Sequence, residues 1–457
     1  MPMNSIQKGH PKGLYLLFAT EMWERFSYYG MRGLLTLYLT KAAIEGGLGF
    51  DDANAGLIYG IYTGLVYLTP IFGGWLADNV LGQRKSITIG GILMALGQLC
   101  LFMSSSEHIS MFYSGLILLI IGNGFFKPNI STVVGQLYPP GDQRKDSAFT
   151  IFYMGINLGA FLAPLVCGYL AEDVFAVKDA AGKISSYGFN YGFLAAGIGM
   201  IIGQILFNLL GQSYLGDLGK EPGAKLQKAQ SSESTPLTRE EKQRMNVIVI
   251  MMLFNIFFWA GFEQAGSSIS LYTDRFIDRS MGDWTIPTSW FQSVNPLFIV
   301  LLGPLFTLLW TYTNRKNKEP NSIVKMGLGM ILLGIGFFLM IGAALQRGGD
   351  IADQAVKANV LWLVGTYLIH TMGELCLSPV GLSLVTKLAP LRLGSLMMGV
   401  WFLSSFIANF LSGYLVQFFA TMGAMSIFAI ISAVVIVLGM IVLFLSNRLL
   451  KLMHGVR

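Results

Sequence analysis

The chain has 457 residues, of which 53% are hydrophobic and 12% charged, and its 31 Lys and Arg against 25 Asp and Glu give a formal net charge of +6. This low charge content and a mean hydropathy of +0.58 exclude a soluble globular protein, in which about a quarter of the residues are charged. Long continuous apolar segments replace the alternating strands of about ten residues that a transmembrane β-barrel needs. We therefore predict an all-α membrane protein.

The apolar segments predict twelve membrane-spanning helices, since about 20 apolar residues cross a bilayer. In chain order they lie near residues 14–40, 54–77, 85–105, 109–134, 147–171, 190–211, 246–272, 290–312, 323–345, 358–386, 394–421 and 424–447. The one long polar stretch, residues 212–245, has the composition of a flexible linker. The predicted organisation is a tail at 1–13, a six-helix bundle at 14–211, the linker, a second six-helix bundle at 246–447 and a tail at 448–457.

The lysines and arginines outside these spans predict the orientation of the chain. Twenty-one lie on the side that holds both termini and the linker, and seven lie on the other side. By the positive-inside rule, both termini and the linker are predicted to be cytoplasmic. We therefore attribute the positive net charge to the orientation of the chain in the membrane, and we expect no nucleic-acid partner.

Seven charged residues remain inside the predicted spans: Glu21, Glu24, Arg25, Arg32, Lys127, Glu263 and Glu374. An Asp, Lys or Arg at mid-helix costs about 2.5–3.5 kcal/mol even on a lenient scale, so we expect these groups to pair around a polar cavity. Those on the first helix share one stripe with Tyr28, at spacings of three or four residues. Four carboxylates face three cations, which leaves one carboxylate suited to take up a proton. The sequence leaves open whether that group is Glu21 or Glu263, or whether the proton is shared.

Several motifs resemble those of a known family. Residues 73–85, GGWLADNVLGQRK, resemble the loop motif between the second and third helices of major facilitators. More specific are EMWERFSYYG (21–30), GNGFFKPN (122–129), FYMGINLGA (152–160), FEQ (262–264) and GELCLSPVGLS (373–383). Together they resemble the proton-dependent oligopeptide transporter (POT/PTR2) family of the major facilitator superfamily. The resemblance implies a major facilitator fold and a proton-coupled symporter that imports di- and tripeptides by alternating access.

The resemblance also implies roles for the residues that match the family's motifs. Proton coupling falls to Glu21, Glu24, Arg25 and Glu263. Substrate binding falls to Arg25, Tyr28, Tyr29, Tyr67, Lys127, Asn157, Asn295, Glu374 and Trp401, with Lys127 and Glu374 forming a central salt bridge. The peptide termini would be held between Arg25 and Lys127 at one end and Glu374 at the other. Arg32 resembles an extracellular gate arginine, whose partner would be Glu263 or Asp274.

Two features depart from the family pattern. Many bacterial members carry an extra helix pair between the bundles, whereas residues 212–245 are too polar to span a membrane. The second helix lacks the histidine of animal members and carries Tyr59, Tyr62 and Tyr67 instead, so coupling would rest on the glutamates. His370 lies one turn before Glu374, and we expect it to have a structural or tuning role.

Other classes of function fit the sequence less well. No nucleophile with its base, metal cluster or phosphate-binding loop indicates an enzyme, and no cofactor or metal is expected, because the proton gradient drives transport. The three cysteines, Cys100, Cys167 and Cys376, lie in apolar stretches and predict no disulfide. Nitrate or another small acid is the alternative cargo, and a non-transporting nutrient receptor is the alternative class. The expected partners are peptides, protons and the lipid bilayer, for a functional monomer in the bacterial inner (plasma) membrane.

Overall fold

The computed structural model describes residues 9–139, 142, 144–180, 183–222, 237–350, 353–390 and 393–455. The first six long helices are α1 (Lys12–Thr40), α2 (Asp52–Leu76), α3 (Gln83–Phe102), α4 (Ile109–Gln136), α5 (Arg144–Tyr169) and α6 (Phe189–Leu215). After the predicted linker follow α7 (Arg239–Phe262), α8 (Ser268–Phe276), α9 (Val294–Arg315), α10 (Ser322–Gln346), α11 (Val360–Leu388), α12 (Gly394–Met422) and α13 (Ala424–Leu452). The described part of the chain is thus almost entirely helical.

Short irregular turns interrupt or extend several of these helices. Five-residue π-helical turns continue α2 through Ala77–Leu81 and α5 through Leu170–Val174. A 3-10 turn, Glu263–Gly266, separates α7 from α8, and another, Thr288–Ser293, leads into α9. Such irregular turns often lie at functional positions of helices. The predicted proton-binding residue Glu263 is the first residue of one of them.

Within the described ranges, eleven helices are long and apolar enough to cross a membrane, with α7 and α8 counted as one segment, Arg239–Phe276. The 29-residue helix α1 is not among them, because Glu21, Glu24, Arg25 and Arg32 interrupt its apolar sequence. These observations confirm an all-helical, multi-pass membrane protein. The exact number of twelve spans and the cytoplasmic position of the termini stay predictions.

The ends of the helices differ from the sequence prediction mainly where a local cap extends them. Helix α7 begins at Arg239, earlier than the predicted 246, because Thr238 and Glu241 form a capping box. The Thr238 hydroxyl accepts the Glu241 N–H at 3.2 Å, and the Glu241 carboxylate accepts the Thr238 N–H at 2.9 Å. Such reciprocal bonds satisfy free N–H groups at a helix start. Residues 223–236 of the predicted linker lie outside the described residues.

The chain forms two compact units. The first comprises Met1–Met31, Thr69–Ala171 and Gly188–Ser232, and the second comprises Arg32–Leu68, Glu172–Tyr187 and Glu233–Arg457. The last nine residues of α1 and most of α2 group with the later helices. The predicted bundle boundaries at 14–211 and 246–447 stay a prediction.

Within the first unit, α3 and α4 pack closely through glycines. A Cβ added at Gly97 would lie 2.9 Å from the Gly115 carbonyl oxygen, and a Cβ at Gly115 would lie 2.9 Å from that of Gly97. Small residues let helix backbones approach in this way in membranes. The second unit has a continuous apolar core to which α7, α10, α11 and α13 contribute large side chains, among them Phe258, Phe337, Tyr367 and Phe428.

Three short β-ladders connect helix ends in the second unit. Strand β1 (Val177–Lys178) pairs antiparallel with β2 (Ile184–Ser186), and β4 (Ser280–Met281) pairs antiparallel with β5 (Trp284–Thr285). Strand β3 (Ile277–Asp278) follows α8 and pairs in parallel with β6 (Ala358–Asn359), which precedes α11. The ladders fix the loops that surround the charged residues described below.

Candidate functional site

Three charged side chains of α1 form a buried cluster in the first unit. Arg25 Nε lies 3.0 Å from Glu21 Oε1, and the same guanidinium pairs with the Glu24 carboxylate. Asn123 of α4 donates to Glu24 Oε1 at 3.2 Å. All three charged residues are at most 4% exposed. Because two carboxylates share one arginine, a proton on either carboxylate would leave Arg25 to the other.

Predicted substrate-binding residues surround this cluster in the same unit. Lys127 of α4 belongs to the same unit as the cluster. The Tyr28 ring centroid lies 5.5 Å from Arg25 Cζ. The Tyr28 and Tyr29 rings meet edge to face, with their centroids 5.1 Å apart. Asn157 of α5 is buried and donates to the Tyr153 carbonyl at 2.9 Å.

The motif FYMGINLGA explains how α5 comes so close to the charged face of α1. A Cβ added at Gly159 would lie 2.9 Å from the Arg25 Cβ, and one added at Gly155 would lie 3.0 Å from the Phe18 carbonyl oxygen. Any side chain at Gly155 or Gly159 would therefore push α5 away from the cluster. Both glycines belong to the motif that carried the family resemblance.

An open groove of about 430 Å³ lies between α4 and α5. Its lining combines aromatic and polar side chains: Ser131, Asp146, Phe149, Thr150, Phe152, Tyr153 and Ile156. Phe149 and Tyr153 are exposed at the protein surface. The predicted substrate-binding residues Lys127 and Asn157 lie one helical turn from Ser131 and Tyr153 and are not among the lining residues.

Glu263 pairs with Arg32 in the second unit. The carboxylate bonds to Arg32 Nη2, and Arg32 Nε donates to the Tyr59 hydroxyl at 2.7 Å. Thr36 donates to the Gly266 carbonyl at 2.6 Å, which the 3-10 turn after α7 leaves free of the helical ladder. Of the two partners that the sequence allowed for the predicted gate residue Arg32, the structure pairs it with Glu263.

Asp274, the other candidate, binds different cations. Lys41 Nζ lies 2.7 Å from Asp274 Oδ2, and Arg279 Nη2 lies 3.3 Å from Oδ1. Burial by itself would lower the pKa of Lys41, but the Asp274 carboxylate outweighs this effect and holds the pKa of Lys41 above its usual value. Arg275 also forms a bidentate pair with Asp52, at 2.6 and 2.7 Å.

Sequence reasoning missed this group of ion pairs. Lys41, Arg275 and Arg279 were counted only as charges that set the orientation, and Asp52 was not singled out. The available signal was the position of Arg275 and Arg279 within two turns after Asp274, of Lys41 at the end of the first span, and of Asp52 just before the second. A charged residue at the end of a span is ordinarily a solvated surface residue, so its position alone did not identify its ion-pair partner.

Glu374 has a different environment from Glu21, Glu24 and Glu263, the other glutamates inside the predicted spans. Asn295 of α9 donates to Glu374 Oε2 at 2.8 Å and to Thr371 Oγ1 at 3.0 Å. Within the described residues of the second unit no cation pairs with Glu374, and Glu263 adds a repulsive charge. The sequence offered Glu21 or Glu263 as the carboxylate without a cation, whereas both have arginine partners. Lys127 belongs to the first unit, so its predicted salt bridge with Glu374 stays a prediction.

The remaining predicted site residues lie in the second unit. Trp401 is 4% exposed and packs against Gly381, where an added Cβ would lie 2.5 Å from Trp401 Cζ2. His370 is buried, with its ring centroid 4.8 Å from Phe337 and 6.3 Å from Phe262. This aromatic packing agrees with a structural role for His370. Tyr67 of α2 is half-buried.

A family profile and several relatives match this chain. The profile described as POT family (PTR2) matches residues 84–221 and 213–430. The chain is 37% identical to the uncharacterized transporter YclF of Bacillus subtilis (strain 168), over 98% of this chain and 96% of that protein. It is 35% identical to the peptide transporter YePEPT of Yersinia enterocolitica, over 89% and 87%. It is 34% identical to a di-/tripeptide transporter of Lactococcus lactis subsp. cremoris, over 98% of each.

Solved structures agree with these matches. A crystal structure of a mutant of the peptide transporter POT in complex with alafosfalin superposes with a TM-score of 0.87 at 34% identity, covering 99% of this chain and 97% of that one. A POT family transporter in complex with 5-aminolevulinic acid gives 0.86 at 30% identity, covering 98% and 99%. These relatives are transporters and not enzymes, and the resemblance seen in the motifs is confirmed. The chain therefore belongs to the POT family of membrane transporters.

Proposed function

We propose that the protein is a proton-coupled symporter that imports di- and tripeptides by alternating access across the bacterial inner membrane. The observation that carries this proposal is the distribution of charge over the two units. Arg25 and Lys127 provide cations in the first unit, and Glu374 has an amide partner and no cation partner among the described residues of the second. The names of the relatives from Yersinia and Lactococcus support a peptide as the cargo.

A short peptide is a zwitterion whose constant features are one amine, one carboxylate and the backbone between them. Its carboxylate would bind Arg25 and Lys127, and its amine would bind Glu374. The amides of Asn157 and Asn295 would bind the backbone. Tyr28, Tyr29, Tyr67 and Trp401 would contact varied side chains, which explains tolerance of many sequences, because recognition rests on the termini.

Proton binding would act through the shared arginines. A proton on Glu21 or Glu24 would remove one of the two carboxylates that Arg25 binds, so that part of its guanidinium could bind the peptide, and a proton on Glu263 would free Arg32. Release of the predicted gate residues Arg32 and Asp274 from their partners would let the helices separate at that end and expose the site to the other side of the membrane. The proton gradient supplies the driving force, so no cofactor is needed and a monomer suffices.

The cargo can be tested in liposomes that contain the purified protein. Labelled Ala-Ala and labelled nitrate are supplied in turn, with and without an inward proton gradient. We expect the gradient to drive accumulation of Ala-Ala and to leave nitrate unaffected. Accumulation of nitrate instead of Ala-Ala would contradict peptide transport and favour the small-anion alternative.

The peptide-binding roles can be tested by measuring Ala-Ala affinity in purified variants. Charge-assisted hydrogen bonds contribute about 1.5–3 kcal/mol, so we expect Lys127→Ala and Glu374→Gln each to weaken binding about 10- to 100-fold. Glu107→Gln is the matched control, since Glu107 is an exposed loop residue. Unchanged affinity in both site variants would rule out these residues as the peptide-binding pair.

A further inference from the structure

A buried carboxylate that the proposed mechanism does not use binds the start of the eighth predicted span. Glu172 lies in the π-helical turn that ends α5 and is 4% exposed. Its Oε2 accepts the backbone N–H of Thr288 at 2.6 Å, and its Oε1 accepts that of Ser289 at 3.0 Å. All three residues belong to the second unit.

The helix that Glu172 binds has no cap from its own sequence. Pro287 occupies the N-cap position and gives no side-chain hydrogen bond to the turn Thr288–Ser293. The first N–H groups of a helix have no partner within the helix and favour a negative charge. Glu172 therefore supplies, from a residue more than one hundred positions earlier, the cap that residues around Pro287 do not provide.

The neighbouring charges reinforce this contact. Asp173 accepts a hydrogen bond from the Trp284 indole at 2.8 Å and pairs with Lys178. Arg279 adds a favourable charge to Glu172 and donates to the Ile286 carbonyl at 2.7 Å. Glu172 and Asp173 thus hold both ends of the segment that leads into α9.

Below this contact, the side chains of α9 are mostly unburied. Its buried residues are Pro296 and Ile299, in its first turns. From residue 300 to residue 319 no position is buried in the structure, and Pro304 interrupts the hydrogen bonding of the helix. Farther along, the Trp310 ring centroid lies 4.5 Å from Lys325 Nζ of α10. The first turns therefore hold the buried contacts of α9, and Asn295, which binds Glu374, lies in one of those turns.

We propose that Glu172 is a positioning residue of the transport cycle, which holds α9 to the end of α5 through Thr288 and Ser289 and must release them when alternating access separates the two helices. This inference rests on the proposed function for its role in transport. The contact itself can be tested without any substrate.

The first test measures the separation of the two segments by pulsed electron spin resonance. Spin labels are attached to cysteines at Val177 and Met281, which are 60% and 62% exposed, in a background where Cys100, Cys167 and Cys376 are replaced by alanine. One short distance should dominate in the parent protein. We expect Glu172→Gln to add a longer distance and to raise its population about tenfold, because a neutral amide accepts fewer and weaker hydrogen bonds.

A second variant removes a donor instead of the acceptor. Thr288→Pro deletes one of the two N–H groups at the first helical position, where proline is tolerated. It should add the same longer distance as Glu172→Gln. Thr288→Val is the matched control, because it keeps the N–H and removes only the hydroxyl that bonds Asp274 at 3.3 Å. Thr288→Val should keep the distance distribution of the parent.

The outcomes separate a positioning role from a purely structural one. Distance distributions that stay unchanged in both Glu172→Gln and Thr288→Pro would overturn the proposal, and if one variant fails to fold, the other decides. Uptake of Ala-Ala should lose maximal rate at an unchanged KM, since Glu172 touches no substrate. Failure of the parent protein to transport Ala-Ala would overturn the proposed function, while a shifted distance distribution would still support release at Glu172.

Discussion

Arg25 is the cation that two buried carboxylates of the first unit share. Glu21 and Glu24 both contact its guanidinium, and Asn123 fixes one oxygen of Glu24. Both carboxylates lie nearest to Arg25 Nε, which carries a single N–H. We therefore expect protonation of one glutamate to shift the guanidinium toward the other.

This linkage predicts the behaviour of a neutral substitution at Glu24. Glu24→Gln keeps the size of the side chain and its contact with the Asn123 amide. The glutamine can no longer take up or release a proton. We expect it to lower gradient-driven uptake of Ala-Ala at least about tenfold. Counterflow exchange of labelled peptide should stay unchanged, because counterflow needs no net proton movement. Glu107→Gln serves as the control, and gradient-driven uptake that persists in Glu24→Gln would remove Glu24 from coupling.

The sequence predicted part of this chemistry residue by residue. The cluster on α1 was predictable, since charges three or four residues apart share a helix face and are costly in a membrane. The choice between Glu263 and Asp274 for Arg32 was not, because both acids lie more than 200 residues away in the chain. Only the folded chain shows that the 3-10 turn after α7 brings Glu263 to Arg32 while Lys41 holds Asp274.

Helix α2 packs against α12 in the second unit through a row of glycines. Gly56, Gly60 and Gly64 are four residues apart and lie on one face of α2. A Cβ added at Gly60 would lie 2.8 Å from the Gly413 Cα and 2.9 Å from the Asn409 carbonyl oxygen. Because both of these are backbone atoms, the two helices could accept a side chain at Gly60 only by moving apart.

This close approach predicts the effect of adding a single methyl group. Gly60→Ala should lower the melting temperature of the purified protein by several degrees, because overpacking costs about 1–3 kcal/mol. The matched control is Gly399→Ala in α12, where an added Cβ meets nothing within 4 Å. There the better helix propensity of alanine should leave stability unchanged or slightly raised. Equal melting temperatures for the two variants would contradict the close packing.

At the scale of elements, the sequence predicted the spans better than their interruptions. Hydropathy locates each apolar segment, because the bilayer requires about 20 such residues whatever they contact. It does not show the break at Glu263–Gly266, since an interrupted helix can be as apolar as a continuous one. The break depends on tertiary contacts such as the hydrogen bond from Thr36 to the Gly266 carbonyl.

The distribution of basic residues predicts the orientation of the whole molecule. Both termini should be cytoplasmic, because 21 lysines and arginines lie on that side and seven on the other. A fluorescent protein fused after Arg457 should therefore fluoresce in a bacterial host, and alkaline phosphatase fused at the same place should be inactive. As a control, phosphatase fused within the loop at Glu107 should be active. The reverse pattern would show that the orientation is wrong.

At this scale, the sequence predicted the helical membrane fold and did not show the ion pairs between distant segments. Arg32–Leu68 groups with the second compact unit. The reason is the set of ion pairs that connect Arg32, Lys41 and Asp52 to α8 and to the turn before it. Such long-range pairs leave no periodic pattern in the sequence.

The charges on α1 also affect how the chain enters the membrane during synthesis. In a newly made α1, Arg25 can pair with Glu21 and Glu24, but the partner of Arg32, Glu263, is translated more than two hundred residues later. An arginine inside a helix costs roughly 2.5–3.5 kcal/mol in lipid, so an unpaired Arg32 disfavours α1 alone in the bilayer. We therefore expect the insertion of α1 to be coupled to the arrival of the later helices.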